Sequence, residues 1–440
     1  MTAPKNGDIG HQSEQRGPFK TLDLTLLPDP TRTVIRAFEP SYPASWPEKD
    51  PIARSLGVAK RVLAEGPVQT EKLARDLLAS MGACHRNTEA TFRRRYAELP
   101  ERVRALGADL DEQLLLGATF CQEYAFESAA LFNPSIIADP LRESAPGETN
   151  FIMSLRGVGE GHISSVTLRT GTWKGDGSVV VDPPSRFAVP PLVTRQADRA
   201  ALLVAEDSQD VSETVIFPML PSQRQGVEDL RMVVFVDDDG SREVIGTYTA
   251  FDGRDARPEL MHGLDFRTVE MRTLSGRFAQ GKGMALFPRR IDGQYAMLGR
   301  QDNERIWLLR SDDLYHWDQG EPILAPRYPW EWIQLGNCGS PVEVEEGWLV
   351  LIHGVGPLRV YCIGACLLDR DDPSRVLART PRPLIVPGAE HRGGYVPNVT
   401  YTCGMLKRGR ELLVPYAVGD RFTTFATGSL DAVLEAMEPV

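Results

Sequence analysis

From about residue 131 onward the chain consists of short β-rich segments separated by Gly, Asp and Pro turns, and this texture constrains the fold most. The segments fall at 151–155, 164–169, 232–236, 243–250, 285–290, 295–298, 306–310, 348–353 and 412–416. Asp-Gly pairs at Asp239-Gly240, Asp252-Gly253 and Asp292-Gly293 provide the positive φ angles that tight hairpins need. Roughly twenty short strands over some three hundred residues are too many for one small sandwich. The stretch 311–317, a turn ending in Trp317, is of a kind that recurs in propeller blades. No strict repeat is visible, so a propeller rests here on strand density rather than on period.

The upstream part reads differently. Residues 1–48 are rich in Pro, Gly and charge, with one apolar patch at 22–27, and predict an extended arm. Residues 49–130 predict helices. Asp50-Pro51 resembles an N-cap followed by Pro at the first helical position. The series Ile52, Leu56, Ala59, Val62, Leu63 and the series Leu73, Ala74, Leu77, Leu78, Met81 both have helical spacing. Thr88 and Thr91 precede the charged run Arg93-Arg94-Arg95-Tyr96, and 114–120 gives a further apolar face. The arginine run could bind an anion, but a solvated helix face is the simpler reading.

Composition excludes several classes. A formal net charge of −11 gives no overall positive field for nucleic acid or an anionic membrane, although a local basic pocket for a small anion stays open. The six cysteines form no Cys-x-x-Cys pair and no zinc spacing, so they read as buried small hydrophobes without a disulfide framework. The polar N-terminus lacks the apolar core of a secretory signal. No run approaches the roughly 20 apolar residues of a membrane span. A cytoplasmic protein is expected.

Chemistry-bearing residues cluster at strand ends. Asp229 is a candidate acid, because a carboxyl held at a strand end can deliver a proton to a departing group. Arg231, two residues on, is expected on the same strand face; a plain Asp229–Arg231 surface salt bridge is the competing reading. Lys282 and Arg300 flank apolar strands, where unpaired cations are usually exposed. With His353 and Tyr361 they would make a phosphate pocket, since phosphate needs several fixed donors. His162 is read first as a structural histidine, and Trp348 first as core.

The order of these clusters resembles glycoside hydrolase family 130, the mannoside phosphorylases and related β-mannosidases, from about Asn133 to Asp431. The family's Glu-Asp-Pro-Arg motif corresponds to Glu228-Asp229-Leu230-Arg231. Its Leu-Phe-Pro strand corresponds to Leu286-Phe287-Pro288, followed by Gly293-Gln294-Tyr295 and Arg300. Gly347-Trp348-Leu349 leads to His353-Gly354-Val355; the run 371–381 and Val396-Pro397-Asn398-Val399 are also family-like. The resemblance implies a mainly β fold, a five-bladed β-propeller over 131–440, with the helices as an N-terminal extension. It implies Asp229 as the single catalytic acid, acting through a sugar hydroxyl. Inorganic phosphate, as co-substrate, would attack with inversion and give α-mannose 1-phosphate from a β-mannoside, β-1,2-linked as a first expectation. Phosphate contacts fall on Lys282, Arg300, His353 and Tyr361. Substrate contacts fall on Asn133, Ser135, Arg156, His162, Arg231 and Asp420. No metal or organic cofactor is implied, and an arm plus helices favours a homo-oligomer.

Four departures accompany the resemblance. Leu230 replaces the motif's Pro. Gln334 stands where a basic residue usually precedes the Gly-rich turn, which removes a positive charge from the phosphate pocket. Gly394-Tyr395-Val396 replaces Gly-Asp-Val, and Tyr416-Ala417-Val418-Gly419-Asp420 replaces Tyr-Gly-Ala-Ala-Asp. Two alternatives follow. One is an inverting β-mannosidase using water, with Glu160, Glu343 or Glu345 as its base. The other is a non-catalytic sugar-binding propeller.

Overall fold

The computed structural model describes residues 17–43, 45–46, 50, 52–197, 199–263, 265–388 and 393–440. The body is mainly β, preceded by helices. The predicted turns fall where Asp-Gly pairs stand: Gly240, Gly253 and Gly293 adopt φ of 82°, 100° and 76°. They join Gly226–Val236 to Arg242–Phe251, the latter to Ala256–His262, and lead into Tyr295–Gly299.

The strands sort into five antiparallel groups. The first is Ala130–Ala138, Thr149–Val158 and Ser164–Trp173. The second is Gly226–Val236, Arg242–Phe251, Ala256–His262 and Thr268–Thr273. One parallel pair, Gly226 with Ser164, links these two into a single sheet. The third runs Ala285–Leu286, Tyr295–Gly299, Ile306–Ser311, Gln319–Leu324; the fourth Gln334–Asn337, Gly347–Val355, Tyr361–Leu368, Val376–Arg379. The fifth is Thr400–Tyr401, Glu411–Val418 and Phe422–Ser429, completed by Phe19–Leu26 from the expected arm. Hydrogen bonding among the described residues does not close these groups into a ring.

Apolar packing joins them instead. Val166 and Leu168 of the first group meet Val227 and Leu230 of the second. Phe235 and Leu260 meet Leu286 and Met297 of the third. Leu298 and Leu308 meet Trp348 and Ile352 of the fourth. Leu351 and Ile363 meet Leu412 and Val414 of the fifth, and Leu413 and Phe425 return to Phe151 and Leu155 of the first. Trp348 is fully buried, as the core reading expected. All six cysteines are free; four are buried, Cys121 is half-buried and Cys84 is exposed.

The helices run Ala53–Leu63, Pro67–Met81, Thr88–Glu98, Glu101–Arg104 and Leu110–Thr119. Pro51 lies outside the described residues, as does the polar N-terminal stretch 1–16. The Asp50 carboxylate still accepts from the Ile52 N–H at 3.1 Å. The arginine run is not a uniform solvated face. Arg93 pairs with Glu89 and Arg94 is exposed, but Arg95 is buried and donates to the Phe120 carbonyl at 3.0 Å. A small sheet of Thr33–Ala37 and Cys121–Ala125 ties helices to body. Beneath it the buried Glu127 carboxylate accepts from Arg32 at 3.0 Å and Arg169 at 2.8 Å. No helix among the described residues is long and apolar enough to cross a membrane.

Candidate active site

Each group contributes its first strand, or the residues just before it, to one site. Two bulges build its centre. In Ala130–Ala138 the register slips between Phe132 and Ser135, and in Gly226–Val236 between Glu228 and Arg231. Each slip inserts one extra residue, which re-aims a side chain out of the strict alternation. The residues at the two slips, Asn133 and Asp229, sit at φ of 48° and 51°, a left-handed conformation that Asn and Asp tolerate best. The bulges face each other, and the Asn133 amide donates to Asp229 Oδ1 at 2.7 Å.

Arg156, on the strand beside Asn133, reaches the same carboxylate at 3.2 Å through Nη1. Its Nη2 meets Glu228 Oε1 at 2.9 Å, its Nε meets Ser164 Oγ at 2.8 Å, and its guanidinium lies over the Phe132 ring. Glu228 Oε2 in turn accepts from Lys282 Nζ at 2.7 Å. Glu228 therefore bridges two cations, a role that its place beside Asp229 in the motif did not announce.

Arg231 does not pair with Asp229 as the salt-bridge reading required. The bulge breaks the expected i, i+2 relation. Its buried guanidinium donates to the Gly283 carbonyl and to the Tyr401 hydroxyl. Asn337 donates to the same Gly283 carbonyl at 3.0 Å. Arg300 lies alongside and donates Nη1 to His353 Nε2 at 3.2 Å. Arginine only donates, so Nε2 is the acceptor and the neutral ring carries its proton on Nδ1, 3.8 Å from Cys338 Sγ. Burial, then Arg300 and Arg231, hold His353 well below the usual histidine range. His353 thus orients Arg300 with its ring nitrogen already engaged, rather than standing free for an anion. Tyr361 stacks on one side of that imidazole and Tyr401 meets it edge-on.

The four cations divide cleanly. Arg156 and Lys282 face carboxylates. Among the described residues no carboxylate lies within ion-pair distance of Arg231 or Arg300, which are held by neutral acceptors only. Burial and the nearby Arg231 charge pull Arg300 below its ordinary value.

The two site carboxyls are pushed apart. Burial raises Asp229, but Arg156, the Asn133 amide, Lys282 and Arg231 outweigh it and hold the carboxyl below its usual range. Asp420, at φ 50°, receives no hydrogen bond from the described residues. Burial, then the charge of Asp229, raises it to about 6. Of the two carboxyls, Asp420 is therefore the later to lose its proton as pH rises.

Other predicted residues lie differently. Ser135 is fully buried, and its hydroxyl accepts from the Met232 N–H at 3.0 Å, bracing the two bulged strands. His162 is exposed on a turn and meets the Tyr395 hydroxyl at 3.4 Å. The three base candidates are not brought to Asp229. Glu343 pairs with Arg289, Glu345 is exposed beside Arg410, and Glu160 lies in an exposed turn. Tyr401 and Asn337 were not predicted; Asn337 stands between Gly336 and Cys338-Gly339 just after Gln334, whereas nothing in sequence marked Tyr401. A hollow of about 650 Å³ lies elsewhere, where Arg36, Arg94 and Arg95 face Pro190, Phe217 and Met219.

Known proteins resemble this chain. The family model described as β-1,4-mannooligosaccharide phosphorylase matches residues 199–439. A 1,2-β-oligomannan phosphorylase of Thermoanaerobacter sp. strain X514 is 39% identical over 142 residues, 32% of this chain; the chain spans about half, 47%, of that relative. A β-1,2-mannobiose phosphorylase from the same strain is 32% identical over 231 residues, covering 49% of this chain and 72% of the relative. The fold is shared with the solved β-1,2-mannobiose phosphorylase from Listeria innocua, with a TM-score of 0.52 at 19% identity over 70% of this chain and 92% of that one. The motif order read from the sequence and the matched family model agree: the chain belongs to glycoside hydrolase family 130.

Proposed function

We propose that the chain is an inverting phosphorylase of a β-mannoside, with Asp229 as its acid and inorganic phosphate as its nucleophile. The carrying observation is the pair Arg231 and Arg300, partly or wholly buried beside Asp229 without a carboxylate partner. A buried cation left unpaired is costly, and an anion that several fixed donors grip relieves that cost. A phosphate oxygen attacks the anomeric carbon opposite the glycosidic oxygen, and the carbon–oxygen bond breaks. The proton of Asp229 passes by way of a sugar hydroxyl to the leaving oxygen. The products are α-mannose 1-phosphate and the shortened sugar.

The low proton affinity of Asp229 fits this order of events. Its carboxyl is held down by cations, and a phosphate that neutralises their field raises it, so the acid is armed when the nucleophile is bound. Asn133, Arg156 and Asp420 would hold the mannose. The five groups packed in sequence, with the last returning to the first, support a five-bladed propeller whose first strands line a central funnel. The helices 53–119 would be an extension to it.

The test is cleavage of β-mannobioses of each linkage with and without phosphate, scored for mannose 1-phosphate. Release of free mannose at the same rate without phosphate refutes the proposal. That outcome would favour a second reading, hydrolysis with Asp420 as base, which rests on a second titratable carboxyl beside Asp229.

A further inference from the structure

We propose that Gln334 is a positioning residue for Arg300: its carboxamide oxygen aims the guanidinium at phosphate. This role rests on the phosphorolytic reading. Oriented so that its oxygen faces the donors around it, the Gln334 amide accepts from Arg300 Nε at 2.9 Å and from Nη1 as well. His353 Nε2 takes Nη1 from the other side. Nη2 meets no acceptor among the described residues, so it is the edge of the guanidinium left for an anion.

The strand ladder builds this seat. Gln334 pairs with Val355 and Gly336 with His353, so Gln334, Gly336 and His353 share one face of the sheet. Gly336 is the gap in that face. A Cβ there would lie 2.5 Å from His353 Cε1 and 3.1 Å from Arg300 Cδ. The face therefore presents acceptor, gap and acceptor, which fits a flat guanidinium. A lysine or arginine at 334 would place a second cation within hydrogen-bond distance of Arg300, next to Arg231, and would push the guanidinium away. The glutamine thus adds no charge of its own and fixes that of Arg300. A glutamate would also accept, but its charge would neutralise Arg300 and repel phosphate.

Steady-state rates at varied phosphate are measured on the full chain, on Gln334→Met, on Arg300→Met and on the double variant. Gln334→Met is expected to raise KM for phosphate about tenfold, the scale of one hydrogen bond to a charged group. KM for the mannoside stays within about twofold, and kcat falls less than KM rises. Adding Gln334→Met to Arg300→Met costs nothing further, because the glutamine acts through the arginine. A merely structural role would instead give additive losses in all parameters. Where turnover is too slow, the rise in melting temperature caused by inorganic phosphate gives the same ordering. Should Gln334→Met fail to fold, Gln334→Asn, whose acceptor is one methylene short, carries the same expectation. A phosphate-dependent wild type whose Gln334→Met variant keeps its phosphate KM, or additive losses in the double variant, overturns this role alone. A wild type indifferent to phosphate overturns the phosphorolytic reading and this role with it.

Discussion

Replacing Asp420 by Asn is expected to stabilise the free protein at pH 7.5 while impairing its use of sugar. Burial, then the Asp229 charge, raises the Asp420 carboxyl from 3.8 to about 6, with Arg156 opposing. A rise of about 2 units corresponds to roughly 3 kcal/mol. Because the folded pKa lies above the unfolded one, the folded state holds the proton more tightly between about pH 4 and 6. Stability contributed by this group therefore falls as pH rises through that window, and the full cost stands above about pH 6. Asparagine is neutral throughout, nearly isosteric, and tolerates the left-handed backbone at 420. Its amide, with few partners of its own, returns about 1 kcal/mol. The net gain is about 2 kcal/mol at pH 7.5 and close to zero at pH 4. Urea unfolding of both proteins at the two pH values measures it. Equal stability at pH 7.5, or the same gain at both pH values, refutes the claim that a strained carboxylate sits beside Asp229.

Three further outcomes can be checked directly. Asp229→Asn keeps the Oδ1 acceptor for Asn133 and Arg156 but has no proton to give; kcat should fall about 10²–10⁴-fold with the fold intact by circular dichroism, and near-normal turnover would remove the acid. Glu127→Gln leaves Arg32 and Arg169 buried without their shared carboxylate, so the denaturant midpoint should report a loss of about 3–5 kcal/mol; an unchanged midpoint would contradict the buried cluster. Gly336→Ala drives a methyl into His353 and Arg300, costing about 1–3 kcal/mol and raising KM for phosphate; an unaltered phosphate KM would argue against the seat described for Arg300.

Much of the architecture could be read from the chain because it rests on local signals. Asp-Gly turns need positive φ wherever they occur, and helical spacing in 52–63, 73–81 and 114–120 gave helices at those places. The site was legible only as a set of names. Asp229 and Arg231 lie two residues apart, and regular alternation would put them on one face. One inserted residue at the bulge undid that, and a bulge leaves no mark in sequence except a partner's register. The true partner of Asp229 is Arg156, 73 residues away, and that of Arg231 is Tyr401, 170 residues away. Such pairings follow from how first strands converge, which no local window contains. The same limit explains Glu343 and Glu345, carboxylates at plausible intervals that the fold points to Arg289 and Arg410.

Counting charge rather than cations changes how Gln334 bears on phosphate. Taken alone, the loss of a basic residue favours water as nucleophile. In the structure, two of the four cations, Arg156 and Lys282, are already neutralised by Glu228 and Asp229, and contribute less to an anion than their number suggests. The field available to phosphate comes from Arg231 and Arg300, and both are held only by neutral groups: a carbonyl, a phenol, an imidazole and the Gln334 amide. A site that needed only a sugar and water would gain stability by giving either guanidinium a carboxylate. Keeping both unneutralised is costly without an anion and useful with one. The hydrolytic reading must account for that cost, and inorganic phosphate titrated against Arg231→Met and Arg300→Met distinguishes the two. Phosphorolysis requires that each substitution weaken phosphate binding, whereas hydrolysis predicts that both stabilise the protein and leave cleavage intact.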